Sequence, residues 1–339
     1  MSRLADLRRI LDAARGLVER RAALIPELVQ STGLSPEGVE HALLHHLETD
    51  ATEDDLRTLL AGTVEAPHVH VILSANVFVA ALRAIVLARA AAPTVTVRPS
   101  SRDPAFALAL LRELADPAIT PSAPGGGQGG GGAEIHVYGR DETIAQVRAS
   151  APPGTIVRGH GAGIGVAVIT ESADLDAAAE ALADDVIAFD QRGCLSPRIA
   201  FVVANAAAFA EKLHAAITAR ELRVPRGELS SSERADAQRY ADTVRFAGTL
   251  HAGRAHLVGV AEPLLVPPSG RHLHVMPIEA TAALPVILAP LARSIVAIGL
   301  TDPAPPIVSS LPGHARISAL GRMQRPPLDG PVDRRPSTP

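Results

Sequence analysis

The chain is poor in several residue types, and each shortage limits what the protein can be. Its 339 residues include one cysteine, no tryptophan, two tyrosines and six phenylalanines. A lone cysteine can form neither an intramolecular disulfide nor a cysteine-based zinc site, so Cys194 is either an inert buried thiol or a reactive one. Because 47% of the residues are hydrophobic and only 2% are aromatic, the core must be mainly aliphatic. This composition is typical of a globular protein long enough for two domains.

Basic charge is scattered along the chain. Lys212 is the only lysine, and the net charge of -4 with a pI of about 6.4 leaves no basic stripe for nucleic acid. Residues 1–24 carry charges throughout, which predicts an amphipathic helix and not a signal peptide. The apolar run over 69–97 is interrupted by Arg83 and Arg89, which argues against a membrane span. We therefore expect a cytoplasmic protein that neither binds nucleic acid nor spans a membrane.

The histidines form no metal-binding signature. The pairs His68/His70 and His272/His274 have the spacing of one strand face, without the further ligands that zinc needs, and no H-E-x-x-H occurs. The sequence predicts no metal site.

The order of patterns along the chain predicts four segments. Residues 1–65 have the apolar spacing of helices, and residues 66–189 and 190–312 alternate strand-like and helix-like runs. Residues 313–339 form a C-terminal tail whose proline- and arginine-rich end we expect to lie on the surface, partly disordered, and to pack back on the first lobe. The alternation predicts a two-lobed α/β fold, each lobe a largely parallel sheet flanked by helices. The stretch 117–133 is so dense in glycine, without an evident strand-to-helix turn around it, that it predicts a flexible surface loop and not a phosphate-binding turn.

The segment FDQRGCLSPR presents the single cysteine between a predicted helix and a predicted strand. A thiolate is the attacking species in cysteine catalysis, so a reactive cysteine needs a helix N-terminus or a nearby positive charge to lower its pKa. Arg192 and Arg198 lie close to Cys194 in sequence. This proximity is compatible with an activated thiol.

Six segments, taken in order, resemble the acyl-CoA reductases of the bacterial luminescence system, which are relatives of the aldehyde dehydrogenases and make fatty aldehydes. They are SANV at 74–77, RPSSRDP at 98–104, YGRDETI at 138–144, RGHGAG at 158–163, DQRGCLSPR at 190–198 and ARISALGRMQRPPLDG at 315–330. The resemblance covers nearly the whole chain from residue 68 onward. It implies an aldehyde dehydrogenase-like architecture with a nucleotide-binding lobe over 66–189 and a catalytic lobe over 190–312.

The resemblance implies that Cys194 is the nucleophile, which attacks a thioester carbonyl and becomes acylated. Asn76 matches an asparagine whose amide, together with the backbone N–H of the nucleophile, forms an oxyanion hole. Two such donors stabilise the developing negative charge on oxygen when water is excluded. The alternative for Asn76 is a residue at a strand end that caps backbone groups.

The segment RPSSRDP matches a Lys-Pro pair followed by an acid that contacts the adenosine ribose. Arg98 replaces the lysine before Pro99 and Ser100, and Ser101 stands at the acidic position. A carboxylate there would repel a 2′-phosphate, whereas Ser101 with Arg98 and Arg102 would accept one, so we expect NADPH in preference to NADH. Alternatively, the two arginines are solvated loop residues.

The segment YGRDETI matches a strand, turn and helix that present a glycine and a helix N-terminus to the pyrophosphate. Gly139 would allow close approach of the backbone, and Thr143 lies in the first turn of the predicted helix. Asp141 and Glu142 are interpreted as ordinary acids at a helix start.

His160 in RGHGAG stands where hydrolytic aldehyde dehydrogenases have the glutamate that activates water. A reductase starts from a thioester, and a water-activating carboxylate would lose the acyl-enzyme as acid. His160 could deprotonate Cys194 or protonate the leaving thiolate. The alternative is a histidine that packs and forms hydrogen bonds in a glycine-rich turn.

We therefore expect reduction of an acyl-CoA or acyl-carrier thioester to an aldehyde. The alternatives are oxidation of an aldehyde to acyl-CoA, and a non-catalytic relative that serves as a scaffold or partner subunit. The chain is shorter than typical aldehyde dehydrogenases, so a homo-oligomer and a complex with an acyl-transfer enzyme both stay open.

Overall fold

The computed structural model describes residues 2–75, 77–122, 132–302 and 304–335, and the chain forms two compact units. The first contains residues up to 162 together with 327–331, and the second contains residues 163–326 together with 332–335. The sequence places the change of lobe after residue 189. The structure divides the chain after Ala162, because the strand that follows pairs within the second sheet.

Four helices open the first unit, in agreement with the helical spacing of residues 1–65. Three of them begin at a serine or threonine whose side chain accepts a hydrogen bond from the first turn, namely Ser2, Ser35 and Thr52. The helices are α1 (Arg3–Glu19), α2 (Arg21–Thr32), α3 (Pro36–His45) and α4 (Glu53–Ala61).

A five-stranded parallel sheet forms the centre of the first unit. Its elements are β1 (Val69–Ile72), α5 (Ala80–Ala91), β2 (Val95–Arg98), α6 (Ala105–Leu114), β3 (Ile119–Pro121), β4 (Glu134–Tyr138), α7 (Asp141–Ser150) and β5 (Ile156–His160). The strand order is β3-β2-β1-β4-β5. The chain thus builds the sheet outward from β1 on one side and then returns to pair β4 on the other side. This reversal creates a topological switch point between β1 and β4, where open α/β sheets bind ligands.

Two ion pairs, one buried and one partly exposed, stabilise the first unit. Arg83 of α5 binds Glu48 (Nε–Oε2 2.9 Å) and also donates to the carbonyls of Pro327 (2.9 Å) and Gly330 (2.6 Å). In the sheet, Nε and Nη2 of Arg158 donate to the two carboxylate oxygens of Glu134, each at 2.7 Å. The chain from 327 to 330 is therefore held by α5.

A seven-stranded sheet forms the second unit, in the order β12-β11-β6-β7-β10-β9-β8, and all its pairs are parallel except β8 with β9. Its strands are β6 (Ile164–Ile169), β7 (Pro197–Val203), β8 (Thr249–Ala252), β9 (Leu257–Val260), β10 (His272–Ile278), β11 (Ile295–Leu300) and β12 (Arg316–Ala319). Its helices are α8 (Leu175–Ile187), α9 (Ala206–Glu221), α10 (Ser231–Ala247), α11 (Leu284–Leu288) and α12 (Pro305–Val308). The predicted fold class is confirmed.

Both faces of this second sheet are buried. Alternate residues of β7 contribute to two clusters: Ala200 and Val202 pack with α8 and α9, while Ile199 and Phe201 pack with Leu284 of α11. Successive strand residues point to opposite faces, so a parallel sheet covered on both sides needs the nearly continuous apolar runs found here.

The tail differs from its predicted surface position. Met323 and Leu328 are buried, with exposed fractions of 0% and 1%. Residues 336–339 lie outside the described residues, as do residues 123–131 of the predicted glycine-rich loop. Over the part of the chain that the structure describes, no helix is both long and apolar enough to cross a membrane.

Replacing Glu134 by glutamine should weaken the fold in a pH-dependent way. Burial alone would raise the pKa of Glu134, but the hydrogen bonds from Arg158 and His136 outweigh it and bring that pKa to about 2. The pair therefore stabilises the fold above the ordinary carboxyl pKa of about 4.5, and this stability is lost as pH falls towards 2. Because Arg158 is partly exposed, solvent screens the pair and reduces its contribution. We therefore expect Glu134→Gln to lower the free energy of unfolding by about 2 kcal/mol at pH 7.

Urea unfolding at several pH values between 7 and 3 measures this difference. Glu142→Gln, at an exposed position of α7, is the matched control. A deficit of Glu134→Gln that stays constant down to pH 3 would contradict the assigned pairing.

Candidate active site

The cysteine loop is preceded by a turn with unusual backbone geometry. Phe189, Asp190 and Gln191, at the end of α8, have φ values of 53°, 51° and 64°. None is a glycine, and a left-handed conformation costs such residues about 1 kcal/mol or more each. Three in succession persist only when the surrounding structure enforces them.

A buried ion pair enforces this turn. The guanidinium of Arg271 donates to Oδ1 of Asp190 from Nε (2.9 Å) and Nη2 (2.8 Å), and each side chain is 1% exposed. The second carboxylate oxygen of Asp190 accepts from the backbone N–H of Gly227 at 2.9 Å, and Arg271 also donates to the carbonyl of Val224 at 2.7 Å. The charges are therefore paired and saturated with hydrogen bonds, as buried charges require.

The side-chain amide of Gln191 closes the loop that contains the cysteine. It donates to the carbonyls of Pro197 (2.6 Å) and His272 (2.8 Å) and accepts from the backbone N–H of His272 (2.8 Å). Gln191 thus joins the start of the loop to the first residue of β7 and to β10. Cys194 lies midway along this closed loop.

The Cys194 side chain is half-buried against an apolar cluster of Leu195, Val296, Ala297 and Met323. Burial, together with the carboxylate of Asp333, raises the pKa of the Cys194 thiol to about 11, and the guanidinium of Arg335 opposes this rise. The thiol is therefore protonated at neutral pH in this arrangement.

Arg192 and Arg198 do not lower the pKa of Cys194. Arg192 lies 3.9 Å from the carboxylate of Glu233 and donates to the carbonyl of Glu228. Arg198 donates to the carbonyl of Pro267 at 2.8 Å, and burial lowers its own pKa to about 10. The contacts of these two arginines therefore do not activate the Cys194 thiol, contrary to what their proximity in sequence indicated.

Asp185 of α8 holds the neighbouring turn of the GRMQ motif. Its carboxylate accepts from the backbone N–H groups of Gly321 (2.6 Å) and Met323 (2.9 Å). Burial outweighs these bonds and raises the pKa of Asp185 to about 7.

A Cβ atom on Gly165 of β6 would lie 2.3 Å from the carbonyl oxygen of Leu195, so glycine at this position allows the cysteine loop to pack against the sheet.

The predicted adenosine-binding segment follows β2 in the first unit. Arg98, Ser101 and Arg102 are exposed, while Pro99 and Ser100 are half-buried, and Ser100 Oγ accepts from the backbone N–H of Arg102 at 3.3 Å. Within the described ranges, the Arg98 and Arg102 side chains form no hydrogen bond or ion pair. Both guanidinium groups are thus available to an anion near the carboxyl end of the sheet.

The predicted pyrophosphate segment follows β4. A Cβ atom on Gly139 would make only an ordinary contact of 3.7 Å with Thr143, so internal packing does not demand glycine there. Asp141 Oδ1 accepts from the backbone N–H of Ala162 at 3.3 Å, which agrees with its interpretation as a structural acid.

A small cavity of about 30 Å³ lies at the switch point between β1 and β4. Its lining includes Ser74, Phe78, Asp103 and Tyr138. Asp103 is buried and accepts from Ser31 Oγ at 2.7 Å, and burial raises its pKa.

His160 belongs to the first unit and stacks on Tyr138, with ring centroids 4.5 Å apart and an interplanar angle of 14°. Its proposed proton transfer stays a prediction. Asn76, the predicted oxyanion-hole residue, lies outside the described residues. In the described ranges, no group of three or more histidine, cysteine or carboxylate side chains is arranged to hold a metal ion.

Comparison with protein families gives a match to the acyl-CoA reductase (LuxC) family over residues 133–302, half of the chain. The chain belongs to this family. The resemblance inferred from the six sequence segments is confirmed, and three of those segments lie inside the matched region. A search of functionally curated proteins found no match.

Several solved structures have a fold similar to that of this acyl-CoA reductase family member. Similar structures include a NAD-dependent benzaldehyde dehydrogenase from Corynebacterium glutamicum, with 16% identity over 94% of this chain and 82% of that chain (TM-score 0.71). An aldehyde dehydrogenase from Mycobacterium tuberculosis complexed with NAD+ has 16% identity, with coverages of 95% and 78% (TM-score 0.73). An NADP-dependent glyceraldehyde-3-phosphate dehydrogenase from Bacillus halodurans C-125 complexed with NADP has 17% identity, with coverages of 94% and 79% (TM-score 0.67). At this identity the likeness shows the fold alone.

Sequence reasoning did not single out the residues that position the cysteine loop of this family member. Asp190 and Gln191 stand in the DQRGC segment, but their roles depend on Arg271 and His272, some eighty positions later. Asp185 gave no signal, because an acid on an amphipathic helix is ordinarily solvated.

Breaking the Asp190–Arg271 pair should strongly destabilise the second unit. Asp190→Ala leaves the Arg271 guanidinium buried without its partner, which typically costs about 3–5 kcal/mol. The double variant Asp190→Ala/Arg271→Met removes both charges and should recover part of this loss. Urea denaturation of the two variants and of Arg271→Met measures the coupling. Equal stability of Asp190→Ala and the wild type would show that the pair does not hold the turn.

Proposed function

We propose that this protein reduces an acyl thioester, carried by coenzyme A or by an acyl carrier, to the corresponding aldehyde. The observation that supports it most is that the only cysteine of an acyl-CoA reductase family member stands on a loop closed by Gln191 and braced by Asp190 and Arg271. A nucleophile must be held within a fraction of an ångström of its attack position, and such bracing serves that need.

The reaction proceeds in two balanced steps. The Cys194 sulfur attacks the thioester carbonyl, a new acyl–sulfur bond forms, and the carrier leaves as a thiol that takes up the cysteine proton. A nicotinamide cofactor, when bound, supplies a hydride to the acyl carbon. The acyl–sulfur bond then breaks to give the aldehyde, and a proton restores the Cys194 thiol.

The protein's own groups have two tasks in the first step. The proton must leave a thiol whose pKa is about 11, and His160 is the proposed acceptor. The carbonyl oxygen must be stabilised as it gains charge, for which the backbone N–H of Cys194 and the amide of Asn76 are the proposed donors.

The absence of a glutamate in the segment 158–163 supports reduction over hydrolysis. Hydrolytic relatives need a carboxylate there to activate water, and RGHGAG offers His160 instead. The acyl-enzyme would then persist until the hydride arrives. Oxidation of an aldehyde to acyl-CoA would use the same residues in reverse.

The first unit fits a nicotinamide dinucleotide. The switch point between β1 and β4 has the topology that binds dinucleotides, and fold neighbours were solved with NAD+ and with NADP. We propose that Arg98 and Arg102 hold a 2′-phosphate beside Pro99, Ser100 and Ser101, which favours NADPH over NADH. Gly139 and Thr143 would lie against the pyrophosphate.

Intact-mass spectrometry tests the acyl-enzyme. Wild-type protein incubated with acyl-CoA thioesters of several chain lengths, or with acyl-carrier-protein thioesters, should gain one acyl mass. Adding NADPH should remove that mass and release the aldehyde. Cys194→Ala, which differs by one sulfur atom in the side chain, should gain no mass.

Two results would contradict the proposal. An adduct that persists in Cys194→Ala would place the acyl group on another residue. The lack of an adduct with any donor would favour a non-catalytic partner subunit.

Removing the two loop arginines should change cofactor preference. We expect Arg98→Ala/Arg102→Ala to raise KM for NADPH about tenfold, equivalent to roughly 1.4 kcal/mol, with little effect on KM for NADH. Steady-state kinetics with both cofactors measures the ratio. Arg112→Ala, at an exposed position of α6, is the control. Equal effects on both cofactors would remove these arginines from 2′-phosphate recognition.

A further inference from the structure

The last described residues of the chain pack beside the nucleophile. Val332 contacts the apolar cluster of Leu195, Val296, Ala297 and Met323, which Cys194 also joins. Asp333 is 9% exposed, although it lies in a tail rich in proline and arginine. Residues 332–335, which we call the strap, are therefore part of the surroundings of Cys194 within the second unit.

A fork of hydrogen bonds shapes the strap. Arg335 donates to the two oxygens of Asp333 from Nε (2.9 Å) and Nη2 (2.7 Å), and the backbone N–H of Arg335 donates to Oδ1 at 3.0 Å. These hydrogen bonds join two residues of the strap to each other, so they can persist when the strap moves.

The strap is anchored on both sides. Before it, the carbonyl of Gly330 accepts from Arg83 at 2.6 Å. At its end, Arg335 Nη1 donates to the carbonyl of Arg293 at 2.8 Å, and an atom at the Cβ position of Gly163 would lie 3.4 Å from Nη2. Gly163 thus leaves room for the guanidinium.

The two charges of the strap act on Cys194 with opposite signs. The Asp333 carboxylate raises the pKa of the thiol, and the Arg335 guanidinium lowers it, so both groups lie within electrostatic reach of the sulfur. In the part of the chain that the structure describes, these are the charged side chains found to shift this pKa. Losing Asp333 and losing Arg335 should therefore have opposite electrostatic effects.

We propose that the strap covers Cys194 and must be displaced before a thioester carbonyl can reach the sulfur. This inference rests on the proposed function, since it concerns access to the same nucleophile. The strap occupies apolar surface through Val332, which an acyl chain can contact in its place, and Arg335 at its end donates to the backbone carbonyl of Arg293. The nucleophile is thereby shielded from solvent and from other electrophiles until substrate is bound.

The variant Arg335→Ala separates shielding from simple electrostatics. If the strap is the barrier, the loss of its anchor exposes the sulfur, and iodoacetamide should alkylate Cys194 at least about tenfold faster at pH 8. If Arg335 acts only as a nearby positive charge, its loss raises the thiol pKa further and alkylation slows. The rate is measured by intact mass, with Cys194→Ala as the unlabelled reference.

Two further variants complete the experiment. Asp333→Asn, which breaks the fork and removes the opposing charge, should also speed alkylation and move its pH midpoint downward. A chain ending at Pro331 should react at least as fast as Arg335→Ala. Arg245→Ala, which removes an arginine paired with Asp242 on the surface of α10, should react like the wild type.

The outcome that overturns the strap is an unchanged or slower alkylation in Arg335→Ala and in the shortened chain, each shown by circular dichroism to be folded. Alkylation does not depend on reductase activity, so the two proposals fail separately. Faster alkylation without acylation by any thioester would keep the strap and reject the proposed reaction. Acylation of the wild type, with an unchanged alkylation rate in Arg335→Ala and the shortened chain, would keep the proposed reaction and reject the strap.

Discussion

The ion pair between Asp190 and Arg271 is the interaction on which the cysteine loop depends. Three successive left-handed residues could relax locally, but Asp190 is tied to the start of β10 and to the backbone of Gly227. Because the pair is buried, releasing the turn would leave both charges without solvent and without partners. Local strain is therefore maintained by a tertiary contact, and this contact fixes the position of the loop that carries Cys194.

Different parts of the second unit determine where Cys194 lies and whether its thiol is ionised. Gln191 and Asp185 hold the cysteine loop and the adjacent turn through backbone hydrogen bonds. The apolar surroundings and Asp333 act in the opposite sense on reactivity, since they favour the neutral thiol. A protonated thiol resists adventitious oxidation, and the proposed attack by Cys194 would require a proton acceptor or a change in its surroundings.

The alternation of strand-like and helix-like runs predicted the α/β class, and what local patterns missed has identifiable causes. Helix α10 begins with a capping box, Ser230 with Glu233, yet its low apolar content hid it from periodicity. The lobe boundary was placed late because strand patterns show that β6 is buried without showing which sheet it joins. The tail was assigned to the surface because its composition resembles disordered segments, whereas Met323 and Leu328 fill the core.

The sequence by itself determined the α/β class, the family and the single candidate nucleophile, because these follow from periodicity, ordered motifs and the presence of one cysteine. The tertiary structure decided what surrounds that cysteine. Arg271 and Asp333 lie far from Cys194 along the chain, and their charges matter only because folding buries them near the loop. Coulomb energies and desolvation depend on distance and burial, and neither quantity is written in a linear pattern of residues.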